Sequence, residues 1–329
     1  MRLHVVLHAV SATLAVAAAL GSTVGAAVPV ANPVVIASLT TSTRATAFVV
    51  AKNGKLVGAL LEGGQIALWT LPDRKPRSVI NISGRSVDAF VMSADGHWIG
   101  IGDHAGRYTV WDAASGAEKL NLESQHYPAA LGFSADGRLL AVAPMSQAVQ
   151  IYGVDSGKKL FELEQPIGGS AAIAFSRDDK LFATADADTV VRIYNAHTGK
   201  LLARNEDFIL IPLAVDFSSD ARYVVAGGGD KYVAMVDAAT GRATRSFPKS
   251  ADAIAYLEAS PDGAWLATAL MHSDATSLPA PVIVSAMSSG APIQSWLPPT
   301  PLLGGGWTAD SRLLAATATG MELKIWRIR

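Results

Sequence analysis

The sequence predicts an all-β chain in which seven short four-stranded antiparallel sheets surround a central axis, with an N-terminal strand completing the last sheet. Three observations carry this. A turn dipeptide returns at Asn53-Gly54, Asp95-Gly96, Asp136-Gly137, Asp178-Asp179, Asp220-Ala221, Asp262-Gly263 and Asp310-Ser311, at spacings of 42, 41, 42, 42, 42 and 48 residues. Sixteen positions after the first turn residue stand Trp69, Trp111, Tyr152, Tyr194, Val236 and Trp326. Between these landmarks the apolar runs, such as residues 139–143, 149–152 and 160–163, hold four or five residues and are too short for helices. Repeats of about 40–45 residues, each worth four strands, form propellers.

The elements follow in order. Residues 1–27, MRLHVVLHAVSATLAVAAALGSTVGAA, combine Arg2, a long Ala/Val/Leu run and a small-residue end. Val24-Gly25-Ala26 and Gly25-Ala26-Ala27 both fit a small-x-Ala cleavage site, so a signal peptide is expected, with the propeller occupying 28–329. An uncleaved anchor is the competing reading, because residues 5–30 are long enough to span a bilayer. Cleavage implies a periplasmic or secreted protein with no stable membrane span.

Within each copy, the Asp-Gly and Ser/Thr-Gly pairs supply the positive φ that tight hairpins require. A second turn glycine follows the first turn residue by 21 positions at Gly116, Gly157, Gly199 and Gly241. In the sixth copy Gly290 arrives 28 positions after Asp262, which places a seven-residue insertion in MHSDATSLPAPV, residues 271–282. The seventh copy ends at MELKIWRIR with its outer strand missing, and a bare edge there would offer unpaired backbone groups. VVIASL, residues 34–39, fits the vacancy and is expected to close the ring.

FSADGRLLAV and VWDAASGAEKL, the second holding the Trp111-Asp112 pair, resemble the WD40-repeat family over essentially the whole mature chain. The looser pattern is similar to exported bacterial seven-bladed propellers of the YVTN and quinoprotein-like superfamily. The family's hydrogen-bonded tetrad implies a turn carboxylate six residues before the strand-c aromatic, and Asp188 and Asp230 stand there. No Gly-His dipeptide occurs, although His126 lies in a suitable loop. By the same resemblance, the loops joining the fourth strand to the next blade (d–a) and the second strand to the third (b–c) share one face.

Chemistry is sparse. There is no cysteine, which excludes disulfides, thiolate catalysis and Cys-type zinc sites. The 27 basic and 28 acidic residues are spread evenly, without the basic stripe that nucleic-acid binding requires. The glycines of 100–106 have the wrong spacing for a phosphate loop, and a strand follows them. Ser156-x-x-Lys159 is a c–d turn rather than a helix start. Asp186 and Asp188 read as structural rather than as calcium ligands. No HxH or HxxxH pair occurs among the histidines of the mature chain. Catalytic, cofactor and metal residues are therefore expected to be none.

What remains is a recognition surface. The insertion and LPPTPLLGGGW, residues 297–307, are read as neighbouring loops on the d–a and b–c face. Met271, His272, Leu278, Leu302 and Leu303 are the candidate partner-binding residues, with His104 and Tyr127 farther round the rim. Exposed apolar side chains on stiffened loops suit protein recognition. The expected function is an exported, non-catalytic propeller that scaffolds a protein partner in the cell envelope. Two alternatives stay open: an enzyme of the lactonase or quinoprotein-dehydrogenase type, and a binder of small ligands or glycans.

Overall fold

The computed structural model describes residues 33–328 apart from 72, 83, 125, 165 and 271–280. The expected leader and Met271, His272 and Leu278 lie outside the described residues. Within them are 28 strands, from β1 (Val34–Thr40) to β28 (Glu322–Arg327), in seven sheets of four. Blades 1 to 6 are consecutive four-stranded meanders spanning residues 45–81, 87–123, 128–162, 170–205, 212–246 and 254–296. Their strands are lettered a to d outward from the axis.

Blade 7 is composite. Its order is β1, β28, β27 (Leu313–Thr319) and β26 (Leu302–Trp307), so the N-terminal segment supplies the outer strand. Val34 faces Arg327 and Leu39 faces Leu323 in an antiparallel register. Ala37 and Leu39 are buried, whereas Val34 and Val35 are exposed. The closure expected from VVIASL is therefore present, and its inward side chains join the core between blades 7 and 1.

The inner strand of every blade carries a bulge at its second residue, as between Ala45 and Ala47 or Ile254 and Tyr256. A bulge sharpens local twist and re-aims the chain, which suits strands crowding round an axis. The cores lie between blades. Trp307 is fully buried with Trp296, Leu313 and Val284, while Phe182, Tyr194 and Ile151 fill the space between blades 3 and 4.

The repeating Asp proves to be one half of a turn device. Ser93, Ser134, Ser176, Ser218, Ser260 and Thr308 each donate a hydroxyl to the Asp two residues on, at 2.5–2.7 Å. In the five serine turns, that hydroxyl also accepts the amide three residues past the Asp. The c–d turn glycines pack against the outer strand of the preceding blade. At Gly241, with φ of 74°, a Cβ would strike the carbonyl oxygen of Arg204.

One expectation needs correction. Residues 297–307 are not a single loop: the connection stops at Pro301, and Leu302–Trp307 is the inner strand of blade 7. Three consecutive glycines hid it, since glycine has low strand propensity and often marks close backbone approach. Side chains at Gly304 and Gly305 would collide with the carbonyl oxygens of Phe48 and Leu314. Leu302 and Leu303 are accordingly half-buried. Leu302 packs beside Trp307, and Leu303 beside Phe48 and Leu323.

Candidate protein interface

The connections divide sharply by face. Among the described residues, the large apolar side chains exposed in connecting segments are Tyr127, Ile167, Ile209, Leu210, Leu297 and Met321. Each belongs to a d–a or b–c connection, while the described a–b and c–d turns expose none. Solvated turns normally shed such residues, so the segregation sets this face apart from the other.

The d–a loops are stitched down rather than loose. In blades 1 to 5 the amide following strand b donates to the carbonyl just before strand a: Glu62 to Arg44, His104 to Ser86, Met145 to Tyr127, Ala187 to Gly169 and Gly229 to Ile211, at 2.7–3.1 Å. Tyr127, Ile167, Ile209 and Leu210 lie within three residues of the inner strands of blades 3, 4 and 5. They form an arc over three successive blades around the mouth of the axis.

Each part of that arc has its own support. His104 and Tyr127, called from the sequence, are brought together: their rings stack at 4.1 Å with an interplanar angle of 15°. His104 Nδ1 lies 3.0 Å from Asp88 Oδ2 on the inner strand of blade 2. Asp230 accepts the amides of Ile209 and Leu210 at 2.8 and 3.1 Å. That carboxylate stands where the family tetrad implies one, yet it holds the neighbouring loop instead. Phe208 turns inward, 3% exposed, and stacks on Tyr232, which leaves Ile209 at 83% and Leu210 at 53% exposure. Ile167, at 85%, rides a turn closed by Gly169 N donating to Pro166 O at 3.2 Å.

Asp188 is used structurally as well. Arg192 forms two hydrogen bonds to it, at 2.9 and 2.7 Å, and one to the buried Asp186, which also accepts from Ser170 and Thr184. Both carboxylates are committed to fixing the b–c turn of blade 4.

The family model described as WD domain, G-beta repeat matches residues 158–195. That stretch runs from the outer strand of blade 3 to the third strand of blade 4, one repeat as the family divides it. The chain is a WD40-like seven-bladed propeller. A search of curated proteins found no match. Among the described residues of the propeller, no helix is long and apolar enough to cross a membrane.

Ile167, Ile209, Leu210 and Met321 were missed by the sequence reading, and Leu297 lay in the expected loop without being named. A signal was available: isoleucine or leucine occupies loop positions just ahead of strand a, where a solvated connection would be polar.

Proposed function

We propose that this WD40-like propeller is an exported, non-catalytic protein-binding module of the cell envelope, and that its partner docks on the d–a and b–c face across blades 3 to 5. The segregation of exposed apolar side chains onto that face carries the reading. Stitched loops and the Asp230 clamp support it, because holding Ile209 and Leu210 outward before binding reduces the ordering cost of association. Burying one such side chain contributes roughly 1.5–3 kcal/mol, about tenfold or more in affinity.

The test is a native envelope pull-down with Ile167→Ser, Ile209→Ser and Leu210→Ser combined, after circular dichroism shows an intact fold. Loss of the partners recovered by the unaltered protein is expected. Equal recovery by the folded variant overturns the assignment of this face.

A further inference from the structure

The inner strands of blades 4, 5 and 6 lie side by side, β14 (Ser170–Phe175) against β18 (Pro212–Phe217) and β18 against β22 (Ile254–Ala259). Those of blades 6 and 7, β22 and β26, lie farther apart than the other neighbouring pairs of inner strands. Aligning the copies explains why. The third residue of strand a is Ala47, Ala89, Ala130, Ala172, Ala214, Tyr256 and Gly304, so only blade 6 places a large side chain there. The fifth is Val49, Val91, Gly132, Ala174, Asp216, Glu258 and Gly306, charged only in blades 5 and 6. The second residue of the a–b turn is long and cationic only at Lys52 and Arg177. All five unusual side chains meet at one end of the axis.

Glu258 is the hub. Its Oε2 accepts the Tyr256 hydroxyl at 2.5 Å and the Trp307 amide at 3.1 Å, and its carbonyl accepts Trp307 Nε1 at 2.9 Å. Lys52 Nζ of blade 1 reaches Oε1 at 3.4 Å, passing over blade 7 to do so. Arg177 of blade 4 similarly passes over blade 5 to donate to Ala259 O at 3.0 Å, while Ala259 N donates to Asp216 Oδ2 at 2.9 Å. Gly306 leaves the room this needs, since a Cβ there would press on the Glu258 carboxylate. Farther from the axis the two blades pack normally through Val284, Trp296 and Leu313.

We propose that the inner joint between blades 6 and 7 is an ionic latch on the axial channel: Glu258 and the groups converging on it hold shut a gap that apolar packing closes elsewhere in the ring. Release of the latch widens the channel at its a–b end without separating the blades, because the outer apolar core stays closed. Tyr256 is 36% exposed although it sits on an inner strand.

Hydrogen exchange read by mass spectrometry on the full chain tests this. In Glu258→Gln, peptides covering 254–259 and 302–307 are expected to exchange about tenfold faster, equivalent to about 1.4 kcal/mol, with 170–175 and 212–217 unchanged. Raising salt from about 0.1 M to about 1 M shortens the screening length from roughly 10 Å to 3 Å, and should accelerate the same two peptides in the unaltered protein. That second arm remains decisive if the variant does not fold. Uniform acceleration of all four inner strands, or none in either arm, overturns the latch.

Discussion

Ser218 shows how a single side chain writes the repeat. Its hydroxyl donates to Asp220 at 2.7 Å and accepts the Tyr223 amide at 3.0 Å, while Asp220 also takes the Arg222 amide at 3.1 Å. The turn therefore needs a short hydroxyl, a carboxylate two residues on, and a residue tolerating positive φ between the carboxylate and the strand, here Ala221 at 58°. Ser218→Ala is expected to cost about 1 kcal/mol, a melting temperature lower by roughly 2–4 °C. A thermal melt indistinguishable from the parent protein contradicts that role. Asp216 makes the opposite case. Burial pushes its carboxyl above the usual range and Glu258 adds to the push, against the pull of Lys52 and the amides of Ala259 and Phe217. A raised folded value means that the neutral form suits the fold. The associated stability is present below the ordinary value of 3.8 and is lost as pH rises through the folded value. Asp216→Asn should thus raise the melting temperature at pH 7, and the gap should close as pH falls toward 3.8. A gap of equal size at both ends of that range counts against ionisation as the cause.

Among the elements, β1 has the weakest local claim to its position. Seven residues of modest strand pattern become a strand because β28 offers an open ladder and because Ala37 and Leu39 find buried sites between blades 7 and 1. Removing residues 34–39 strips that ladder and uncovers Leu323 and Ile325, both at 0% exposure. The expected result is a loss well beyond the roughly 0.5 kcal/mol typical of a surface substitution, with a lower and broader thermal transition. An unchanged melt reduces β1 to a linker. β26 teaches the reverse lesson. Its glycines argue against a strand locally, and its place is fixed by how closely Phe48 and Leu314 approach.

At the scale of the whole molecule, the ring separates maintenance from recognition. One face carries the Ser/Thr-x-Asp turns and exposes no large apolar side chain among its described turns; the other carries every such residue found in a described connection. The proposed export of this module makes its own claim. Intact mass of the protein recovered from its native host should correspond to a chain beginning near Ala27 or Val28. Retention of residues 1–26 in a membrane fraction argues for an anchor instead.

The sequence by itself determined the number of blades, the four-stranded unit, the turn positions and the closing strand. Each is a local hydrogen-bond or φ requirement that recurs with the period and leaves a mark on residue type. It also offered His104 and Tyr127 as rim candidates, from the loops that hold them. Only the tertiary structure decided that Leu302 and Leu303 face blade cores while Ile167, Ile209 and Leu210 face water, and that Lys52, Arg177, Asp216, Tyr256 and Glu258 converge at the axis. Those facts depend on which blades lie beside or across from one another. Residues some 200 positions apart, such as Lys52 and Glu258, are brought within 3.4 Å only when the ring closes, and no local pattern in either segment records that distance.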